Sequence, residues 1–150
     1  MILTCHLVIG ALIASKIQSV PLVLSLAFLS HYFLDLLPQI EYKVDKIRAK
    51  QWSKSFSDFS KVFLDIAVGL LLILLFSKNT VLIFVAAFVA IVPDGFTLLY
   101  IIFDKNKLLN KHRKFHKAIN LVGENEKIPL WGKFLCQALV VFIAVFFLLQ

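Results

Sequence analysis

Cysteine, proline and glycine are all scarce in this 150-residue chain, at 2, 4 and 5 residues. Two cysteines cannot staple a small secreted fold, and so little Gly and Pro excludes collagen-like repeats and low-complexity disorder. Charge is scarce as well. Only 17% of residues are charged and 60% are hydrophobic, with a mean hydropathy of +0.88, whereas soluble domains carry about a quarter charged residues. No nucleophile-elbow serine, phosphate loop or dinucleotide-binding glycine fingerprint occurs, which argues against serine acyl transfer and nucleotide chemistry. One domain is the default at this length, and the composition left is that of a small integral membrane protein.

Five apolar stretches follow one another: Ile2–Ala14, Val20–Leu37, Phe59–Phe76, Val81–Phe103 and Trp131–Leu149. A spanning helix needs about 20 apolar residues, so the first is the shortest candidate. Its start, with no basic residue before His6 and a second apolar run close behind, does not read as a signal peptide. The connections Ser15–Ser19 and Ser77–Thr80 are tight enough for two helical hairpins. The expected fold is therefore all-α: one domain of about five transmembrane helices.

Of the 16 Lys and Arg, six lie in Lys43–Lys61 and eight in Lys105–Lys133. With five spans both basic loops share a face, and the positive-inside rule makes that face cytoplasmic. The expected location is the inner membrane with the N-terminus inside. The net charge of +7 beside membrane spans points to anionic lipid headgroups rather than nucleic acid. A second copy of the chain is a further expected partner. Lys105–Asn120 reads as a basic amphipathic helix lying in the interface, with Leu108, His112, Phe115, His116 and Ile119 on one stripe.

The informative residues are polar ones inside apolar spans: His6, His31, Asp35, Asp65 and Asp94. An ionised Asp at a helix centre costs roughly 2.5–3.5 kcal/mol on insertion, so the folded state should offset it. In the topology above all five fall in the cytoplasmic half or near the midplane, which suggests one shared site. His31 and Asp35 are four apart and share a helix face. Pro93-Asp94-Gly95 should break the fourth span. His112 and His116, also four apart, point toward the same mouth. Four imidazoles and three carboxylates suit a site for Zn²⁺, with Mn²⁺ or Fe²⁺ as alternatives. The expected ligands are His6, His31, Asp35, Asp94, His112 and His116, with Asp65 orienting or deprotonating a water. Glu41 is close enough to the mouth to support it, while Glu124 and Glu126 read as solvated loop residues. Cys5 and Cys136 read as packing residues.

On His6, the Ser30-His31-Tyr32-Phe33-Leu34-Asp35-Leu36-Leu37-Pro38 stretch, Pro93-Asp94 and His112-Arg113, the chain resembles the small LexA-regulated, YdjM-type inner-membrane proteins described as metal-dependent hydrolases. Its His-x-x-x-Asp pair also looks like ligand pairs of zinc phospholipase C and P1-type nucleases. Members of that family often carry His-Arg-x-x-Thr-His-Ser where this chain reads His112-Arg113-Lys114-Phe115-His116-Lys117. The resemblance implies a membrane-bound metal-dependent hydrolase acting on a phosphoester or phospholipid-like substrate. Two other readings stand beside it: an ion or proton transporter using the buried Asp and His residues, or a non-catalytic membrane protein with a structural metal.

Overall fold

The computed structural model describes residues 1–123 and 127–150, so Glu124 and Glu126 lie outside the described residues. The described residues are helical, with no strand among them. The chain runs α1 (Leu3–Lys16), α2 (Val20–Asp35), a short α3 (Asp45–Arg48), a 3₁₀ turn (Trp52–Lys54), then α4 (Phe56–Phe76), α5 (Val81–Ala90), α6 (Val92–Ile102), α7 (Lys107–Gly123) and α8 (Leu130–Leu148). The apolar stretches read from the sequence match helices to within a few residues, and both tight hairpin turns fall where expected.

The break in the fourth stretch is also where Pro93 and Gly95 place it. Pro93 has no N–H to return to a carbonyl one turn earlier, and α5 and α6 meet at a 50° bend. Gly95 faces open space, with nothing within 4 Å of where a Cβ would stand, so no close approach requires a glycine there.

α4 and α8, of 21 and 19 residues, are long and apolar enough to cross a membrane, and the bent α5–α6 pair makes a third if it counts as one span. Both α4 and α8 turn large apolar side chains outward, such as Phe63 at 70% and Phe142 at 67% exposure. Continuous apolar faces of this kind need hydrocarbon or a partner to cover them. α1 and α2 are shorter, with 14 and 16 residues; at about 1.5 Å per residue they rise about 21 and 24 Å, less than the roughly 30 Å hydrocarbon core. The count of five full spans thus rests on sequence, while length and composition in the structure support two or three.

α1 is the central helix, packed against α2, α4, α5 and α8. It is buried nearly all round, at Leu3 through Val8 and at Gly10 and Ala11, as befits a helix apolar on every face. Small residues let its neighbours come close. A Cβ on Gly10 would stand 2.6 Å from the Ala86 carbonyl oxygen and 2.9 Å from the Ala90 Cβ. A Cβ on Gly69 of α4 would stand 2.6 Å from the Leu7 Cδ1. Backbone contact through small residues is how helices associate where lipid removes the hydrophobic drive between them. Leu7, Val8, Ile73, Ile83, Ala87 and Ala144 fill the core around these crossings.

α7 is amphipathic, as its pattern predicts, and packs on α6 and α2. Its stripe is split between two environments, because His116 is buried whereas Leu108 and Phe115 stay exposed.

Candidate metal centre

Close packing of α1, α2 and the α5–α6 bend brings His6, His31, Asp35 and Asp94 together, and α7 adds His116. Two overlapping sets, His6/His31/Asp94 and His31/Asp35/His116, each place three donor atoms within 4.8 Å of one another. His6, His31, Asp35 and His116 are buried, and Asp94 is partly exposed at the rim.

The hydrogen bonds around the cluster assign the tautomers. Nδ1 of His31 lies 2.8 Å from the carbonyl oxygen of Ala90, the last residue of α5. A carbonyl only accepts, so Nδ1–H is the donor and Nε2 presents its lone pair inward. The Thr97 hydroxyl donates to the Pro93 carbonyl (3.4 Å) and lies 3.2 Å from Nδ1 of His116. Thr97 therefore accepts from Nδ1–H, and Nε2 of His116 also points inward.

The two Nε2 atoms are 2.9 Å apart. Asp35 Oδ2 stands 2.9 Å from the first of them, on His116, and 3.2 Å from that of His31. Three lone-pair atoms this close repel unless a cation joins them. A proton on Nε2 of His116 is one such cation, and a metal ion is the other. Ligands about 2.1 Å from one ion lie about 3.0 Å apart at a right angle and about 3.4 Å apart at the tetrahedral angle. Three atoms 2.9–3.2 Å apart thus stand near the spacing of a first-row divalent ion's ligands, closer to the octahedral value. Ring N–H groups held by Ala90 and Thr97 are the usual outer support of metal-binding histidines.

His6 adds a second observation. Its ring is fully buried and stacks on His31 with centroids 4.1 Å apart. Neither ring nitrogen has a hydrogen-bond partner, and Nε2 lies 3.4 Å from Asp35 Oδ1. Buried polar atoms are nearly always satisfied, so an orphaned imidazole beside a ready donor set fits a site built for an ion. Asp94 Oδ1 sits further out, 3.8 Å from Nε2 of His31 and 3.7 Å from that of His116. Asp35 Oδ1 and Glu41 Oε1 meet the Met1 nitrogen at 2.9 and 3.0 Å.

Two expected members fall outside both donor sets, although the His112 ring stacks on that of His116 with centroids 5.7 Å apart. Nε2 of His112 meets the Tyr32 hydroxyl at 3.0 Å, and His112 belongs to neither set of potential ligands. Burial, followed by the neighbouring His116 and His31, lowers its pKa below the ordinary imidazole value. For His116 burial acts in the same direction, but the Asp35 hydrogen bond and the charges of Asp94 and Asp35 outweigh it and raise its pKa. Asp65 caps α1: its carboxylate accepts from the Leu3 and Thr4 amides (2.6 and 3.0 Å) and from the Thr4 hydroxyl (2.6 Å). That is the reciprocal of helix-dipole chemistry, an anion at a helix N-terminus. Asp65→Ala should therefore destabilise the protein by about 2–3 kcal/mol in detergent-based unfolding while leaving its metal content unchanged; loss of metal with unaltered stability would restore Asp65 to the site.

Thr97, Tyr32 and the Ala90 carbonyl were missed by residue type. Thr97 was open to discovery, since it follows Asp94 by three positions and so shares its face. Comparison with family models, curated proteins and solved structures returns no match. Fold and site together define a helical protein, with helices long enough to cross a membrane, whose buried His/Asp cluster could bind a metal ion.

Proposed function

We propose that this is a multi-pass inner-membrane protein, five-pass with its N-terminus and basic loops cytoplasmic, carrying a metal-dependent hydrolase centre for a phosphoester. The observation that carries the reading is the inward convergence of two histidine lone pairs and a carboxylate, with an unpartnered buried His6 beside them. His31, Asp35 and His116 hold the ion, His6 and Asp94 complete or flank it, and Ala90 and Thr97 keep the rings in register. Zn²⁺ suits this nitrogen-rich set, with Mn²⁺ or Fe²⁺ as alternatives. When bound, such an ion supplies Lewis acidity toward a phosphoryl oxygen and acidifies water.

Asp94 is the partly exposed carboxylate of the cluster and lines a cavity. It is placed to accept a proton from water there, the role expected of Asp65 from sequence alone. An approach from solvent distinguishes this centre from a closed structural site. The family resemblance rests on His6, His31, Asp35 and Asp94, which belong to the cluster, and on His112-Arg113, whose histidine is in neither donor set. The basic loops would hold the protein against anionic headgroups.

The test is metal content by mass spectrometry on protein purified in mild detergent, beside His31→Ala and Asp35→Asn. About one equivalent of metal is expected in the parent, with at least about a tenfold loss in each variant, and metal-dependent release of phosphate from a phosphoester panel. A folded parent that takes up no metal after dialysis against Zn²⁺ and Mn²⁺ would sink the reading and leave the buried acids to proton or cation movement.

A further inference from the structure

Two neighbouring cavities of opposite character border the cluster. One, of about 300 Å³, touches it through Asp94 and is walled mainly by apolar side chains, among them Phe59, Val62 and Ile66 of α4 and Leu98 of α6. The other, of about 460 Å³, touches it through His116 and is lined by Arg48, Lys50, Arg113 and Lys117, with Glu41 and Asp104 as its acids. Glu41, Arg48, Thr97 and Ile101 border both cavities, so the two are neighbours; Asp94 lines the first and His116 the second, with Asp94 Oδ1 3.7 Å from His116 Nε2.

The charged cavity carries an excess of positive charge. Lys50 is neutralised by Asp104 at 2.7 Å and Arg48 leans toward Glu41 at 3.8 Å. Lys50 also holds the Asp104 carboxyl below its usual pKa range, so that acid stays ionised. Arg113 lies over the Tyr100 ring at 4.7 Å, a cation–π contact that leaves its N–H groups unspent. Arg113 and Lys117 remain to receive an anion. At about 30 Å³ for each water-sized group, the apolar cavity takes about ten chain carbons. Its α4 wall, Phe59, Val62 and Ile66, belongs to the first half of a helix long and apolar enough to cross a membrane.

We propose that the substrate is an amphiphile with one apolar chain and an anionic phosphate headgroup, its chain in the Phe59/Val62/Leu98 cavity and its headgroup on Arg113 and Lys117. The scissile headgroup bond then falls at the junction, beside Asp94 and His116. This deepens the hydrolase reading and rests on it for the chemistry alone, since the two cavities exist without turnover. A charged cleft by itself would serve a soluble phosphoester, and an apolar cavity by itself any lipid tail. Their junction at one cluster selects a molecule that has both.

The experiment is photolabelling of the metal-loaded full chain in nanodiscs of neutral lipid, with a diazirine-bearing alkyl phosphate as probe. Competitors are dodecyl phosphate, dodecanol and inorganic phosphate. Labels are expected on peptides holding Phe59–Ile66 and Leu98, displaced by dodecyl phosphate at concentrations where dodecanol and phosphate do nothing. Arg113→Gln with Lys117→Gln should weaken that competition by about tenfold or more. Gly95→Leu, which fills the cavity wall from a position facing open space, should abolish the labelling while the protein stays folded.

Equal competition by dodecanol, or labels spread over all outward helix faces, would overturn the proposal. So would phosphate alone matching dodecyl phosphate, which would assign the cleft to a soluble anion. Competed labelling without phosphate release keeps the pocket and removes the hydrolase. Release from a soluble phosphoester without competed labelling keeps the hydrolase and removes the pocket.

Discussion

A His6→Leu variant should be more stable than the parent in chelator and less stable than the parent in metal. Without an ion, His6 buries an Nδ1 with no hydrogen-bond partner and an Nε2 whose only named polar neighbour is Asp35 Oδ1, 3.4 Å away. An unsatisfied buried polar group costs about 1–3 kcal/mol, and an apolar replacement of similar size removes that cost. The expected gain is a rise of several degrees in thermal midpoint, at about 2–4 °C per kcal/mol for a chain of this size. In metal that advantage shrinks, and the sign reverses once losing the imidazole weakens binding by about a hundredfold or more, roughly 2.7 kcal/mol. The parent gains about 2.7 kcal/mol at a free-ion concentration a hundred times its Kd, and the variant, short of one imidazole, gains less. Melting curves in detergent, with chelator and with Zn²⁺, give both halves of the result. A variant less stable than the parent in both conditions would show that His6 is a packing residue whose shape matters more than its nitrogens.

The second large effect concerns a residue that touches no polar atom of the cluster. Gly10→Val should cost about 3 kcal/mol or more and remove metal binding with it. The added Cβ would meet the Ala86 carbonyl oxygen at 2.6 Å and the Ala90 Cβ at 2.9 Å. The carbonyl belongs to backbone and cannot swing aside, so α5 must move off α1. Ala90 is the residue whose carbonyl fixes the His31 ring, and displacing α5 frees that ring to rotate. Gly95→Ala is the control, since its added methyl meets nothing and alanine is the better helix former by about 1 kcal/mol. Denaturation and metal content on the two variants should separate cleanly. A Gly10→Val protein that keeps its metal would mean that α5 does not hold the site.

How much of this was legible beforehand depends on what carried the signal. Helix positions were legible because apolar runs, tight polar turns and Pro93 are local facts. His31 and Asp35 were legible for the same reason, four positions apart on one face. The separation of His116 from His112 was not. Both lie on the same stripe of α7, and only the packing of that helix on α2 and α6 decides which ring turns inward. Asp65 looked like a member of the cluster because depth in a span is all that sequence reveals. Its partner is the backbone of Leu3 and Thr4, and amides carry no residue type to read. Asp58 is a parallel case: it accepts from the Lys46 and Ile47 amides at 2.9 and 3.3 Å and so caps α3. The first apolar stretch was already short for a span, and α1, of 14 residues, is packed on nearly every face, whereas α2, of 16, buries one face and leaves Val20, Leu22, Leu29 and Phe33 exposed.

The two donor sets are completed at different points of synthesis. His31 and His116 are 85 positions apart, and His6 and the α5–α6 bend are made before the second of them. At about 5–20 residues per second on the ribosome, the early helices wait roughly 4–17 s for α7. Through that interval the nascent bundle holds its two early imidazoles without the third. The His6/His31/Asp94 set is complete before α7 is made, whereas the His31/Asp35/His116 set closes only with it.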